Sequence, residues 1–199
     1  MYRDLVSARE PPPNRINSCE ADLEMHLTEG AVMLGFAMYL FRAVPGLQEV
    51  SIHPDGEHGK RFDIRNWLEA HGFKLVEPKG GTAYGGRYTT DQDRTLIVYP
   101  RSGQGDVVAK AGSTTILAEC KGGILNTRHP GQKSRLRRGL CETVGQLLTF
   151  PADPGFRQIA VVPLTAATQD LAARLAPRAR LCGIEIAFVD GAGDVTFAD

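Results

Sequence analysis

Three residues with complementary chemistry fall within one short stretch of the chain, between Gly105 and Gly122. Asp106 opens the stretch, and Glu119 and Lys121 close it. Two carboxylates suit a hard ion such as Mg²⁺, which keeps several waters and needs only one or two carboxylates from the protein. An adjacent ammonium can orient a metal-bound water or neutralise charge that develops on a phosphate. The residue types therefore favour metal-assisted chemistry on a phosphate.

A β-hairpin is the element expected to bring these residues together. The glycine-first pair Gly112-Ser113 lies between two β-rich runs and suits the type II′ turn of a two-residue hairpin. Folding back across this turn places Asp106 opposite Glu119, with Cβ atoms about 4.5–5.5 Å apart. Because side chains alternate along a strand, Lys121 shares the face of Glu119 and Cys120 points to the other face.

Two opposed carboxylates destabilise a sheet unless a cation lies between them. A divalent ion would remove that penalty, and the backbone carbonyl of Cys120 could supply a third oxygen. The alternative is an ordinary amphipathic hairpin whose polar face is solvated and whose Lys121 pairs with Glu119. The hairpin thus predicts either a metal site or a surface ion pair.

The order Asp106, twelve residues, then Glu119-Cys120-Lys121 resembles the D…(D/E)xK signature of the PD-(D/E)xK nuclease superfamily. No proline precedes Asp106, although the superfamily takes its name from one. The resemblance covers Gly105–Gly122 and the helix near Gln146 by residue, and residues 61–189 by the order of elements. It implies an α/β fold with a restriction-endonuclease-like αβββαβ core, in which helices flank a central mixed β-sheet.

The same resemblance implies a metal-dependent nuclease, most simply a DNA endonuclease of defence, restriction or repair, with DNA favoured over RNA. Asp106 and Glu119 would hold Mg²⁺ together with the Cys120 carbonyl, Mn²⁺ is expected to substitute, and Lys121 would position the attacking water. Many members carry a glutamate on the first core helix that reaches the metal. Glu29 is the candidate for that role.

Glu29 lies in a segment, residues 19–42, that is predicted to form one helix with Ser18 as a possible cap. Its helical neighbours would be apolar, so its carboxylate would be costly to bury without a partner or a metal; the alternative is a position near the solvent edge. The apolar run Ala31–Phe41 is too short for a bilayer, which needs about 20 residues, and suits a core helix or a homodimer interface. Glu69 is an alternative carboxylate, although Arg65 offers it a surface ion pair.

A cluster of basic residues, with no Asp or Glu among them, follows the motif. Between positions 126 and 139 they are Arg128, His129, Lys133, Arg135, Arg137 and Arg138. In a chain of zero net charge, this cluster favours a phosphate partner, and the alternative is a solvated charge run. Arg87, beside two tyrosines in a glycine-rich loop, is a further candidate for contact with nucleic acid, unless that loop is a frayed β-connection.

A helix is predicted over residues 134–150, with Leu136, Leu140, Val144, Leu147 and Leu148 on its buried face. Arg138, Glu142 and Gln146 align on its other side, because they are spaced by four. Gln146 resembles the glutamine found on the helix after the ExK strand in several branches of the superfamily. Glu142 and Gln146 are therefore expected to support the site or to orient a phosphate.

The 199-residue chain is within the range of one domain, and its 42% hydrophobic content is ordinary for a compact protein. Residues 1–18 are predicted to be an extended arm or a poorly ordered tail, and residues 19–199 a single domain. A strand over 158–162, a helix over 166–176 ended by Pro177 and a last strand over 183–189 complete the predicted order.

The cysteines have no paired spacing and indicate reduced, buried thiols in a cytoplasmic protein without a membrane span. His53 and His58 flank a predicted turn, which disfavours a metal site there. Two other functions stay open: a catalytically silent nuclease-fold subunit for DNA binding or assembly, and a domain regulated by a small nucleotide.

Overall fold

The computed structural model describes residues 1–15, 19, 22–54, 61–101, 103–151 and 153–199. The strands are β1 Val6–Arg9, β2 Glu24–Leu27, β3 Glu49–Ile52, β4 Lys74–Pro78, β5 Gly86–Thr89, β6 Thr95–Val98, β7 Val107–Ala111, β8 Thr114–Cys120, β9 Gly123–Ile124, β10 Phe156–Pro163, β11 Ile184–Val189 and β12 Val195–Phe197. The helices are α1 Glu29–Ala43, α2 Ile64–Ala70, α3 Pro130–Leu147 and α4 Ala166–Leu181. Two short 3₁₀ turns, Arg3–Leu5 and Pro13–Arg15, lie in the N-terminal segment.

Nine of these strands form one mixed sheet in the order β12-β11-β10-β8-β7-β3-β6-β5-β4. β8, β10 and β11 run parallel, and α3 and α4 make the two crossovers between them. β7 pairs antiparallel with both β8 and β3. The fold is therefore α/β, with a large mixed sheet flanked by helices, as the sequence predicts at this level.

Helix α1 lies on one face of the sheet, where nearly all of its residues from Gly30 to Phe41 are buried. Helices α3 and α4 pack together on the other face, over a second apolar cluster that includes Leu117, Leu140 and Ile186. Alternation along β8 sends Ile116 and Ala118 to the first cluster and Leu117 to the second. The apolar residues of α1 are thus buried within their own chain, so this helix offers no apolar surface for a homodimer.

A second sheet, with the order β1-β2-β9, is built from the N-terminal segment and the residues after β8. Val6 pairs with Leu27, and His26 with Ile124. Of the two descriptions predicted for the N-terminal arm, extended structure is the one observed at Val6–Arg9. This arm also contributes to the core, because Leu5 is fully buried.

The prediction of one helix over residues 19–42 is wrong in its first part. Helix α1 begins at Glu29, where Thr28 accepts a hydrogen bond from the backbone N–H of Ala31 at 3.3 Å. Residues 24–27 form β2 instead, since pairing with strands on both sides outweighs the local helical pattern. Ser18, the predicted cap, lies outside the described residues.

Other predictions of elements also need correction. Helix α4 continues past Pro177 to Leu181, because Pro177 is exposed while Ala176 and Ala179 stay packed on the buried side. The glycine-rich connection contains β5, and the Asp190 turn leads to the additional strand β12. Leu148, predicted to be buried, is 57% exposed.

The four cysteines are free thiols, and Cys141 and Cys182 are exposed rather than buried. His53 stacks on Tyr99 and approaches the carbonyl of Arg101 through Nδ1 at 3.1 Å, whereas His58 lies outside the described residues. Within the described ranges, no helix combines the length and the apolar character needed to cross a bilayer.

Candidate metal centre and cationic cleft

The β7–β8 hairpin has the register that the sequence predicts. Ala111 pairs with Thr114 and Val108 with Leu117, and Gly112 takes the positive φ of 61° that the first turn position requires. Beyond the last paired rung, the backbone N–H of Asp106 still donates to the carbonyl of Ala118 at 2.9 Å. The register set by the turn therefore extends to the far end of the hairpin, where the acidic residues lie.

Asp106 and Glu119 are in contact at that end. An Oδ2 atom of Asp106 accepts the backbone N–H of Cys120 at 2.8 Å, which fixes the aspartate against β8. Burial, the Asp106 charge and a hydrogen bond to Asp106 raise the pKa of Glu119 to about 7, although Lys121 opposes the shift. Glu119 is only 8% exposed. Burial and the adjacent Asp106 thus disfavour the charged form of Glu119.

Cys120 has its side chain on the opposite face, as predicted, and is fully buried among apolar residues. Burial raises the pKa of its thiol well above the ordinary value, so the sulfur stays protonated. A thiol in this state is a poor ligand for a hard cation. The backbone carbonyl is therefore the group through which Cys120 could bind a metal.

Lys121 lies between two carboxylates contributed by two helices. Its Nζ is 3.4 Å from Oε1 of Glu29 on α1 and 3.4 Å from Oε1 of Glu142 on α3. Burial disfavours the charged form of this lysine, but attraction by Glu29 and then by Glu142 outweighs burial and raises the pKa of Lys121. Lys121 is consequently an ammonium at neutral pH. Lys121 therefore pairs with Glu29 and Glu142, and not with Glu119 in the surface ion pair that was the predicted alternative.

Two glycines allow the surrounding elements to approach Lys121. A Cβ on Gly122 would lie 2.5 Å from the backbone nitrogen of Glu29 and 2.6 Å from the carbonyl oxygen of Leu27. On the other side, a Cβ on Gly139 would lie 3.2 Å from the Cβ of Lys121. The junction of β2 with α1 therefore sits directly against the end of β8.

Glu29 lies beside the motif, but its surroundings differ from the apolar helical ones that were predicted. It is the first residue of α1, so only residues that follow it are its helical neighbours, and its side chain is 17% exposed. Its charge contributes to the raised pKa of Glu119. Glu69, the alternative carboxylate, binds Arg65 at 2.9 Å on α2, as the sequence predicts.

Among the described residues, no group of three or more His, Cys, Asp or Glu side chains is arranged to hold a metal ion. The pair Asp106 and Glu119 nevertheless fits a hard divalent ion that keeps most of its waters. Two adjacent carboxyl groups, one of which has a raised pKa, mark a place where a cation would be favoured. The donor set is compatible with Mg²⁺ or Mn²⁺ and not with a closed zinc site, which needs four ligands.

A cleft of about 570 Å³ opens beside Lys121. Glu29 and Glu142 line it, whereas Asp106 and Glu119 lie next to Lys121 and are not among its lining residues. The Lys and Arg side chains among the described lining residues are Arg9, Arg15, Arg61, Lys121, Arg135 and Arg138. Cations outnumber carboxylates, so the cleft favours an anion.

The structure brings only part of the predicted basic cluster to this cleft. Arg135 and Arg138 on α3 line it, whereas Arg128, Lys133 and Arg137 do not. Gln146 is exposed one turn beyond Glu142 and is not a lining residue either.

Arg87 lies on β5, several strands away from the hairpin, where it pairs with Glu49 at 3.0 Å. Its neighbour Tyr88 is fully buried and donates to the carbonyl of Tyr84 at 2.7 Å, so it is not available to stack on a base. This part of the sheet is therefore separate from the cleft.

Sequence reasoning missed the opposite wall of the cleft, formed by Arg9, Arg15, His26 and Arg61. Arg9 ends β1 and donates to the carbonyl of Arg61 at 3.2 Å. The alternation of apolar and polar residues in Val6–Arg9 and in Glu24–Leu27 is the signal that could have indicated two strands there. The pairing of β2 with β9 depends on contacts about a hundred residues apart, which no local pattern reveals.

Compared with protein-family models, with curated proteins and with solved structures, the chain matches none of them.

Proposed function

We propose that this protein is a metal-dependent nuclease that hydrolyses phosphodiester bonds, with DNA favoured as the substrate. The observation that carries the proposal is the position of two adjacent carboxyl groups, Asp106 and Glu119, next to a lysine that lines a cationic cleft. Carboxylates select a divalent cation and arginines select phosphate. Few substrates other than a phosphate ester require both at once.

Asp106 and Glu119 would hold Mg²⁺, with the Cys120 carbonyl and Glu29 as further oxygen ligands. When bound, the ion polarises a phosphoryl oxygen and stabilises the negative charge that develops on the phosphate. The two carboxylates supply the negative charge that binds the ion, and the hydrogen bond from Cys120 N–H keeps Asp106 directed towards Glu119.

Lys121 acts as a charged donor, because its pKa is raised and it cannot accept a proton at neutral pH. It would orient the attacking water or hold a non-bridging phosphate oxygen, exchanging one of its carboxylate partners for the substrate. In the reaction the water oxygen bonds to phosphorus and loses a proton to solvent, the bond from phosphorus to the leaving oxygen breaks, and the leaving oxygen takes up a proton from solvent. Arg135 and Arg138 would bind neighbouring phosphates.

The order of elements supports a restriction-endonuclease-like core as the finer fold within this proposal. Helix α1 precedes the β7–β8 hairpin, α3 follows it, and β10 then pairs parallel to β8 in the same sheet. This order agrees with the αβββαβ pattern that the sequence resemblance implies. β4 to β6 and the α4–β11–β12 unit would be additions to that core.

The first test is cleavage of supercoiled, linear, single-stranded and branched DNA, with RNA in parallel, in Mg²⁺, Mn²⁺ and EDTA. Wild type is expected to cut only with metal, and Glu119→Gln or Lys121→Ala to lower the rate by at least about 100-fold, as removal of an electrostatic catalytic group does. Lys110→Ala is the matched control, because Lys110 is an exposed lysine on the same hairpin. Unchanged turnover by either site variant would refute the assignment.

A non-cleaving nucleic-acid-binding subunit is the second candidate. It is favoured by the engagement of Lys121 with two carboxylates at once and by the lack of a three-ligand metal group in the described part of the chain. Binding of DNA by both wild type and Lys121→Ala, with cleavage by neither, would select this function.

A further inference from the structure

Helices α3 and α4 lie side by side on one face of the large sheet, and together they are strongly basic. They contain seven Lys and Arg residues and only two carboxylates, Glu142 and Asp170, in a chain of zero net charge. Both helices connect parallel strands of the sheet, so they run in the same direction. A local excess of cations of this kind favours an anionic partner.

Helix α3 carries cations on two flanks. Arg135 lines the cleft, and Arg137 follows it by two residues, which places Arg137 about 200° further around the helix. Lys133 and Arg137 share their flank with Leu140 and Val144, because these residues are spaced by three or four. Leu140 and Val144 are buried in the apolar cluster to which α4 also contributes. This second flank of α3 therefore faces α4.

Helix α4 carries two arginines on the flank that faces back. Arg174 and Arg178 share a side of α4 with Leu171 and Leu175, which are half-buried against the same apolar cluster. The opposite flank, which includes Arg180, is exposed. Arg174 and Arg178 thus border the seam between the two helices. We call Lys133, Arg137, Arg174 and Arg178 the seam cations.

The seam cations have no carboxylate partner among the described residues. Lys133, Arg137 and Arg178 form no hydrogen bond or ion pair with that part of the chain, and Arg174 donates only to a backbone carbonyl of its own helix, at 3.3 Å. Exposed cations on other surfaces are paired, as Arg65 is with the glutamate four residues on, at 2.9 Å. The seam therefore presents Lys and Arg donors that no described residue uses.

Phosphate is the anion that fits this surface best, because guanidinium groups bind it through two parallel hydrogen bonds. The seam is also continuous with the cleft, since Arg135 and Arg138 of the same helix line that cleft. A helix with its side chains is about 10–12 Å across, whereas a duplex of about 20 base pairs is about 70 Å long. One nucleic-acid molecule can therefore reach both flanks of α3.

A lipid surface is the competing partner for the same cations. Leu148 and Leu181, at the C-terminal ends of the two helices, are 57% and 88% exposed. Apolar side chains beside basic ones are also typical of binding to anionic membranes. Only the cations, however, are continuous with the cleft on α3, so nucleic acid is favoured.

We propose that nucleic acid held at the cleft continues across α3 and that its phosphates contact the seam cations. This inference rests on the proposed function, because it adds a second contact surface for the same substrate. Contacts to phosphate carry no information on base sequence. The seam should therefore raise affinity for any sequence and fix how the duplex lies on the protein.

The test is binding of the intact chain, in EDTA, to a fluorescent DNA duplex of about 20 base pairs at several salt concentrations. Arg137→Gln and Arg178→Gln are each expected to weaken binding about 3- to 10-fold at about 0.1 M salt. Each should also lower the slope of log affinity against log salt by about 0.9, the value for one lost phosphate contact. Arg137→Lys should keep most of the affinity, because an ammonium also binds phosphate.

Arg180→Gln is the matched control. Arg180 is an exposed arginine of the same helix, but it follows Arg178 by two residues and so lies about 200° around α4 from it, away from the seam. Its affinity and salt slope should equal those of wild type. Urea unfolding of all these variants should match wild type, since each changes a side chain on a helix surface.

Wild-type affinity in the double variant Arg137→Gln, Arg178→Gln would overturn the proposal. An equal loss of affinity in Arg180→Gln would also overturn it, because the effect would then reflect net charge and not the seam. Vesicles of phosphatidylcholine and phosphatidylserine test the competing partner. Loss of vesicle binding by the double variant, with DNA binding unchanged, would assign the seam to a lipid surface instead.

The outcomes separate this inference from the proposed function. Metal-dependent cleavage, with wild-type DNA affinity in the seam variants, would refute the seam contact alone. The expected binding pattern without any cleavage by wild type would refute the nuclease and leave the seam contact intact.

Discussion

At the scale of single residues, the contact between Glu119 and Asp106 links the site to the stability of the metal-free protein. Glu119 has a pKa of about 7 in the folded chain, against an ordinary value of 4.5. Between these two pH values the unfolded chain releases the proton while the folded chain keeps it. The free energy of unfolding therefore falls as the pH rises through this window.

We predict that metal-free wild type loses on the order of 2–3 kcal/mol of stability between about pH 4.5 and pH 8, relative to Glu119→Gln. The comparison with the variant is needed because burial lowers the pKa of His53 below its ordinary value of 6.5. The stability contributed by His53 therefore rises as the pH increases towards 6.5, which is opposite in sign to the effect of Glu119. Urea unfolding at several pH values in EDTA measures the difference. Parallel stability curves for the two proteins would contradict it.

Glu142 makes a second prediction at this scale. Its carboxylate is 3.4 Å from Lys121 and its side chain is 51% exposed, so the pair is worth about 1 kcal/mol at most. Glu142→Gln raises the positive charge of the cleft and should tighten oligonucleotide binding about 2- to 5-fold at low salt. Fluorescence anisotropy in EDTA measures the effect.

Glu69→Gln is the control for that experiment, because Glu69 forms a comparable exposed pair with Arg65 outside the cleft. Binding by this variant should be unchanged. Weaker binding by Glu142→Gln than by wild type would show that Glu142 supports the site rather than competing with the substrate for Lys121.

At the scale of elements, the site depends on how closely the β2–α1 junction approaches β8. Gly122 has no room for a side chain there, since a Cβ would lie about 2.5–2.6 Å from three backbone atoms of residues 27–29. Backbone atoms cannot rotate away, so the junction would have to shift. The contact between Lys121 and Glu29 at 3.4 Å would lengthen with it.

Gly122→Ala is therefore expected to destabilise the protein by about 1–3 kcal/mol, the usual cost of overpacking, and to reduce cleavage. Gly145→Ala provides the matched control. Gly145 lies in α3 with no atom within 4 Å of the added Cβ, so alanine should stabilise the helix by up to about 1 kcal/mol. Urea unfolding of both variants checks the pair, and equal stability for the two would refute the packing argument.

The elements differ in how far the sequence could predict them. The β7–β8 register follows from one local feature, the Gly112-Ser113 turn, and the buried face of α3 follows from apolar spacing through Leu136, Leu140 and Val144. Alternation in Glu24–Leu27 indicates a strand, but the place of β2 in a sheet could not be predicted in this way, because its partners lie far along the chain. Helix α4 continues past Pro177 because the packing of Ala176 before it and Ala179 after it outweighs one missing backbone hydrogen bond.

The site shows the same division. Asp106, Glu119 and Lys121 lie on one hairpin, so alternation and the turn suffice to place them together. The partners of Lys121 come from two helices, and the cleft residues Arg9 and His26 come from a second sheet. Their positions depend on tertiary packing, which the residue pattern does not encode locally.

At the scale of the whole molecule, the first residues belong to the core. Leu5 is fully buried, and a Cβ on Gly35 of α1 would lie 3.3 Å from its Cδ1. Tyr2 packs at 5.4 Å from Trp67 by ring centroids, and Arg42 lies over the Tyr2 ring. The N-terminal segment therefore stabilises the sheet that carries the cleft wall.

We expect Leu5→Ala to cost about 2–5 kcal/mol, the range for truncating a buried leucine. Val76→Ala is the control, because Val76 is 55% exposed on the edge strand β4 and should cost less than about 1 kcal/mol. Thermal or urea unfolding measures both. A Leu5 variant as stable as the Val76 variant would show that the N-terminal segment packs less firmly than these contacts indicate.

The attachment of Tyr2 also bears on the order in which the contacts of the protein form. The backbone N–H of Tyr2 donates to the carbonyl of Ala192, and Gly193 lies against Tyr2 and Leu5. These contacts join segments that are almost two hundred residues apart, across the turn between β11 and β12. Because sequence-distant contacts form slowly, we expect the docking of Tyr2 and Leu5 to be a late step in refolding.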